Sequence, residues 1–167
     1  MRNSNQKFFL LIIIVSLSFF GCTKEEKQQA PPKTINELPH LKFVSLDGTA
    51  TSTRNLETPL VLILFFADCD HCQREAQEIQ KNLALFKGKN IQFISAEEIP
   101  VIQKFSVDYG LSNEPNVKFG RSESVDVYMN FGSIPTPAIY VYSAEKRLLK
   151  SFKGETPVVE IAGAFRQ

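Results

Sequence analysis

Two thiols separated by two residues, Cys69-Asp70-His71-Cys72, are the groups in this chain most able to do chemistry. A thiolate with a second thiol in reach performs disulfide exchange. The pair follows directly on an apolar run, Leu60-Val61-Leu62-Ile63-Leu64-Phe65-Phe66. A run of that length, rich in branched and aromatic residues, reads as a buried strand. Beyond the pair, Ala76, Ile79, Leu83 and Phe86 recur at steps of three, four and three. That spacing predicts one apolar face of a helix. Cys69 therefore falls at a strand-to-helix turn, where unpaired N–H groups and the helix dipole favour the thiolate. Cys69 is the candidate nucleophile. Cys72, one turn on and deeper, is the candidate resolving thiol.

Two further groups can tune the pair. His71, when protonated, stabilises a thiolate at Cys69; the plain alternative is an exposed residue at the helix start. Asp68 and Asp70 oppose it, because nearby negative charge disfavours a second anion. Glu75 lies one turn past Cys72, where a part-buried carboxyl accepts or donates a cysteine proton. Its alternative is a solvated residue paired with Arg74 or Lys81. Zinc is a poor fit, since it needs four ligands and the domain offers only these two Cys with His71 and His40.

The elements that must carry these residues are legible at low resolution. Leu41 to Val44 reads as a short opening strand and Asp47-Gly48 as a turn. Ile91 to Ser95 is the next strand. Pro100 opens a helix bearing Val101, Ile102, Phe105 and Tyr109, ended by Gly110. Ser122 is placed as the cap of a short helix through Val125 and Met129. Ala138 to Tyr142 is a strand, Arg147 to Phe152 its hairpin partner, and Thr156-Pro157 opens a last helix. The order predicts an α/β domain with a central mixed β-sheet flanked by helices. Phe43, Phe65, Phe66, Phe93 and Phe119 are expected in its core.

The chain has 167 residues, 43 % of them hydrophobic and 22 % charged, which suits one globular domain. Its net charge of +1 gives no reason to expect a nucleic-acid partner. Three cysteines are too few for a disulfide-stapled scaffold. Residues 1–21 read as a leader: Arg2 and Lys7 precede an apolar stretch from Phe8 to Phe20, broken only by Ser16 and Ser18. That is the length of a secretory signal and short for a membrane span. The stretch ends Phe19-Phe20-Gly21-Cys22, which resembles the bacterial lipobox, with Phe19 where Leu, Val or Ile is usual. The resemblance makes Cys22 a lipidation site; the alternative is an uncleaved anchor. Either places the rest of the chain at the cell envelope, facing the periplasm or the exterior. Residues 22–36, polar and holding Pro31-Pro32, read as a flexible tether, and residues 37–167 as the domain.

Strand, Cys-x-x-Cys helix, then a Pro-initiated strand, hairpin and closing helix resembles the thioredoxin fold. Within it the chain is most similar to the membrane-anchored TlpA-like thiol–disulfide oxidoreductases. Leu38-Pro39, Phe43, Asp47-Gly48 and Leu56 resemble their N-terminal extension. Glu75 stands in the place of a glutamate common there. The long gap from Cys69 to Pro137 leaves room for an inserted strand–helix unit. The departures are Asp68 for the usual Trp, Asp70 for the usual Pro, and Ile63 where thioredoxins carry a buried Asp.

The resemblance implies a thiol–disulfide oxidoreductase that needs no cofactor beyond a redox-active Cys69–Cys72 disulfide. Its partners would be protein thiols and disulfides and a membrane redox partner. It also implies a cis-proline facing the cysteines. Pro137 begins its strand directly, which suits a residue without an amide proton, and is preferred to Pro135. Thr136 then supplies a backbone contact to substrate. Three rivals share the fold. A peroxiredoxin-like peroxidase needs Thr three before its Cys, where Phe66 stands. Copper-delivery modules carry Cys-x-x-x-Cys and a later His, and no His follows position 71. The third is a non-catalytic interaction module with a structural disulfide.

Overall fold

The structure is a computed structural model that describes residues 36–166. The leader, Cys22, the tether up to residue 35 and Gln167 lie outside the described residues. Seven strands form one sheet: β1 (Lys42–Ser45), β2 (Ala50–Ser52), β3 (Leu60–Leu64), β4 (Asn90–Ser95), β5 (Val117–Arg121), β6 (Ala138–Tyr142) and β7 (Leu148–Lys153). Their spatial order is β2-β1-β5-β4-β3-β6-β7. The sheet is mixed: β3, β4 and β5 run parallel, and every other pairing is antiparallel. The helices are α1 (Asp70–Lys81), α2 (Ile99–Asp108), α3 (Ser124–Phe131) and α4 (Val158–Gly163).

β3 is buried at all five positions because both faces of the sheet are covered. Val61 and Ile63 face a core built with Ala76 and Ile79 of α1, Ile102 and Phe105 of α2, and Val158 and Ile161 of α4. Leu60, Leu62 and Leu64 face a second core with Leu38, Leu41, Phe43 and Phe131. Period-two alternation on the strand thus feeds two separate apolar layers. On the first face Phe65, Phe93, Phe105 and Phe119 form one aromatic cluster. Phe93 and Phe119 stack at 4.8 Å, and Phe65 lies 4.6 Å from Phe105.

Several expectations change. The apolar run after Pro59 leaves the sheet at Leu64 rather than Phe66. Its partner β6 begins at Ala138 opposite Leu64, and the preceding Pro137 has no N–H to extend the ladder. Phe66, expected in the core, is 43 % exposed as a result. The helix after the cysteines stops at Asn82, whose side chain donates to the Glu78 carbonyl at 2.8 Å. A separate 3₁₀ turn, Leu83–Phe86, then delivers Phe86 to the core. Ser122 does not cap α3. Its hydroxyl donates to the Lys42 carbonyl at 2.7 Å, tying β5 to β1, and Glu123 stands at the cap.

No residues are assigned to β2 or β5 from the sequence, although the resemblance leaves room for an inserted strand–helix unit between Cys69 and Pro137. β2 is three mostly polar residues. β5 is interrupted by Gly120, which in sequence weakens a strand. Here the glycine is required: a Cβ at this position would lie 2.5 Å from Phe43 Cδ2 and 3.0 Å from the Val44 carbonyl oxygen. Absence of a side chain is what lets β1 dock on β5. Gly120→Ala is expected to lower stability by about 1–3 kcal/mol, the usual effect of overpacking. Urea denaturation of the variant checks this, and Phe43→Leu in the same chain should restore part of the loss.

Candidate functional site

Three chain segments meet at one end of the sheet. The register of β3 on β6 pairs Leu64 with Ala138. The segments just outside those residues, 65–69 and 132–137, are therefore neighbours. The register of β6 on β7 pairs Ala138 with Lys153, and Gly154 N–H donates to the Pro137 carbonyl at 2.7 Å. That brings Gly154 to Pro157 to the same end.

The turn between β3 and α1 is held by groups the sequence did not point to. Ala67 N–H donates to Glu97 Oε2 at 2.8 Å, and the Gln73 amide donates to the Ala67 carbonyl at 2.8 Å. Glu97 is itself fixed by the Ser95 hydroxyl at 2.9 Å. Neither Gln73 nor Glu97 belongs to a motif, and only their placement across the turn reveals the role. Cys69 is the N-cap of α1, and its sulfur accepts from Cys72 N–H at 3.4 Å. This is the capping position where helix N–H groups lack internal partners.

The cis-proline loop supplies the opposite wall. The Thr136–Pro137 bond is cis, as is Thr58–Pro59, which the sequence did not single out. Cys69 Sγ lies 3.6 Å from the Thr136 carbonyl oxygen and 3.8 Å from its hydroxyl. As a thiol, Cys69 donates to the carbonyl. As a thiolate, it accepts from Cys72 N–H and the Thr136 hydroxyl. Partial burial works against the anion, but these donors and the His71 N–H outweigh it, so the Cys69 pKa is lowered. Cys72 sits beneath, 1 % exposed. Burial pushes its thiol up to about 12, and the neighbouring Cys69 adds to the shift. Both cysteines are free.

The His71 ring is largely exposed and turned toward Glu155. Its Nδ1 is 2.9 Å from Glu155 Oε2 and 2.8 Å from Arg74 Nη2. Arg74 also bonds Glu155, at 2.8 Å. The ring's polar contacts thus go to Glu155 of the β7–α4 loop and to Arg74 of α1, and His71 reaches Cys69 through its main chain.

Glu75 is 1 % exposed, not solvated, and it pairs with neither Arg74 nor Lys81. Its Oε2 accepts from Thr156 N–H at 2.7 Å, and its Oε1 has no hydrogen-bond partner. Burial lifts its pKa to about 7. The Thr156 bond resists that rise, and the charges of Glu155 and Glu78 add to it. Cys72 and Glu75, three apart on α1, share its buried face. Glu155 and Thr156 carried no sequence signal beyond a Thr-Pro helix start.

Two grooves flank Thr136. One, of about 210 Å³, is lined by Phe66, Ile94, Val127, Tyr128 and Ile134 among others. The second, of about 870 Å³, is lined by His71, Glu75, Glu78, Glu155 and Thr156 among others. Among the described residues no cluster of three or more His, Cys, Asp or Glu is arranged to hold a metal ion.

Solved structures share this architecture. A secreted Mycobacterium tuberculosis disulfide oxidoreductase homologous to E. coli DsbE aligns over 75 % of this chain and 93 % of its own. Its identity is 18 % and its TM-score 0.63. The chain has a thioredoxin-like fold. The thioredoxin domain of a Bacteroides vulgatus thiol-disulfide oxidoreductase is also similar. It is 18 % identical over 76 % of this chain and 91 % of that one, with a TM-score of 0.61. A copper-bound ScoI from Arabidopsis thaliana is 14 % identical over 75 % and 93 %, with a TM-score of 0.60. At these identities the likeness is one of fold. No family model and no curated protein matches the chain.

Two measurements follow from the geometry. Iodoacetamide should modify Cys69 with a half-maximal rate below pH about 8.5, the ordinary thiol value, while Cys72 stays unmodified in the folded chain. Folded Glu75 keeps its proton up to about 7, whereas an ordinary glutamate releases it near 4.5. Across that window the folded state binds more protons, so stability falls as pH rises through it. The fall should be about 3 kcal/mol. Urea midpoints at pH 4.5 and 8 should diverge in the parent and draw together in Glu75→Gln, whose amide oxygen still accepts from Thr156.

Proposed function

We propose that the chain is an extracytoplasmic thiol–disulfide oxidoreductase, a TlpA-like lipoprotein tethered to the bacterial envelope through Cys22. One observation carries the reading: a part-exposed Cys69 sulfur at a helix N-cap lies against Thr136 of a cis-proline loop, with Cys72 buried one turn below. The envelope placement rests on residues 1–22 of the sequence and on the secreted M. tuberculosis relative. Among the described residues no helix is long and apolar enough to cross a membrane.

The Cys69 thiolate attacks one sulfur of a substrate disulfide. That S–S bond breaks, a mixed disulfide forms at Cys69, and the departing sulfur takes a proton. Cys72 then loses its proton and attacks Cys69 Sγ. The second substrate thiol leaves, and a Cys69–Cys72 disulfide remains. Two electrons have passed to the substrate, whose sulfurs take one proton from solvent and one that Cys72 gives up through Glu75. A dithiol donor restores the pair, and reductive or general exchange fits better than a dedicated oxidant. In this reading Glu75 is the base for Cys72. Its pKa of about 7 suits it to take a proton near neutrality, and its unpartnered Oε1 is free to receive one. Thr136 holds the substrate main chain beside the reacting sulfurs.

Part-exposure of Cys69 speaks against a locked structural disulfide. Phe66, where a peroxidase pocket needs Thr, speaks against the peroxidase. With a dithiol donor present, the parent should reduce insulin disulfides. Cys69→Ser should lose at least about a hundredfold in rate. Cys72→Ser should accumulate a mixed disulfide with insulin, visible on a non-reducing gel. Parental activity in Cys69→Ser would defeat the proposal.

A further inference from the structure

The two residues after Gly154 grip α1 beside the cysteine turn. Gly154 sits at φ 87°, a conformation open mainly to glycine, where the chain leaves β7. Glu155 follows. Arg74 Nε lies 3.1 Å from its Oε1 and 2.9 Å from its Oε2, and Arg74 Nη2 lies 2.8 Å from Oε2. His71 Nδ1 meets the same Oε2 at 2.9 Å. Thr156 comes next, and its N–H donates to Glu75 Oε2. His71, Arg74 and Glu75 stand at i, i+3 and i+4, so one side of α1 meets this dipeptide.

Charge gives the grip a consequence for the sulfurs. Of residues 68–78 only His71 and Arg74 are basic. The Arg74 pKa is raised first by the Glu155 bond, against burial, and then by the charges of Glu155, Asp70 and Cys69. Arg74 and Cys69 are therefore within electrostatic reach, and a positive charge there favours the thiolate. The bonds from Arg74 and then His71 hold Glu155 below the usual carboxylate range, so it is ionised and offsets that positive charge. The acids of the same surroundings are Asp68 and Asp70 at the turn, Glu75 and Glu78 on α1, and Glu97 behind Ala67. The cis-proline loop, 132–137, carries no charged side chain. Glu155 is the acid that meets both basic groups. Stabilising the Cys69 thiolate stabilises the reduced pair and makes its disulfide a stronger oxidant. Offsetting the cations does the reverse.

We propose that Glu155 is a positioning residue that sets the redox poise of the Cys69–Cys72 pair, by engaging the two basic side chains that would otherwise stabilise the Cys69 thiolate. The proposal deepens the oxidoreductase reading and rests on it. It places the control of the pair outside the Cys-x-x-Cys turn, on the β7–α4 loop. With Glu155 in place, the disulfide is a milder oxidant than a turn bearing His71 would otherwise be. That suits reductive or general exchange.

The test is the equilibrium of the full-length protein with glutathione at neutral pH. The Cys69–Cys72 disulfide takes two electrons and two protons from two glutathione molecules, giving the dithiol and one glutathione disulfide. Glu155→Gln should shift the equilibrium constant about two- to fivefold toward the protein dithiol, the range expected of an exposed ion pair. It should also move the midpoint of iodoacetamide alkylation at Cys69 to lower pH. Arg74→Gln should shift both readouts the opposite way, since it removes the cation and leaves the carboxylate. Each variant breaks the same contact, so a role confined to fixing the loop would move the two together. The double variant Arg74→Gln/Glu155→Gln should return toward the parent. No shift in either single variant, or shifts of one sign, would overturn the role of Glu155, while glutathione exchange in the parent leaves the oxidoreductase standing. A parent that never equilibrates with glutathione would sink both.

Discussion

The antiparallel register that sets Leu64 against Ala138 is the constraint on which the rest depends. Because the strands are antiparallel, the exit of β3 and the entrance of β6 share one end of the sheet. The residue after the β3 exit turn is the start of α1, and the residue before β6 is Pro137. A slip of one position would turn every β6 side chain to the other face and send Ile139 and Val141 out of the α1 core. Core packing on both faces therefore holds the cysteine turn against the proline loop. The pairing of Ala138 with Lys153 extends the same logic to the loop that meets Glu75.

Within that frame two identical side chains acquire opposite acidities. Cys69 ends a helix and meets N–H and O–H donors, which favour its anion. Cys72 is one turn deeper, among Val61, Ile63 and Ala76, where an anion has little solvation. In the proposed cycle the separation sets the order of events: the outer sulfur attacks, and the inner one waits until its proton is drawn away. Nothing about the spacing of the cysteines imposes this. Depth does, and depth follows from the apolar stripe that seats α1 on the sheet.

What was legible in the sequence shares a physical origin, namely short-range pattern. β3 announced itself by five consecutive apolar residues, α1 by its stripe, β6 by a run of the same kind, and the cysteine pair by its spacing. The site features that were missed come from contacts between distant segments. Glu155 reaches His71 and Arg74 across 80 or so positions, and Glu97 holds Ala67 across 30. Gly120 weakens a strand locally and is required globally, by the approach of Phe43. Phe66 looks like core until the partner strand is known to stop at Ala138. Local pattern located the cysteine pair, whereas the groups packed around it are products of topology.

Glu75 departs from the usual rule for buried polar groups. A buried carboxyl with one hydrogen bond and one unpartnered oxygen is less stable than an apolar residue of similar size would be. Here the chain places one donor, Thr156 N–H, on Oε2 and leaves Oε1 open, while the charges of Glu155 and Glu78 discourage ionisation further. That arrangement keeps the group close to half-protonated near neutral pH. A carboxyl so held passes a proton in either direction with little driving force, which suits the proposed cycle, in which the thiol pair is oxidised and reduced in turn. In the proposed cycle the open Oε1, not the Thr156-bonded Oε2, is the oxygen that exchanges a proton with Cys72.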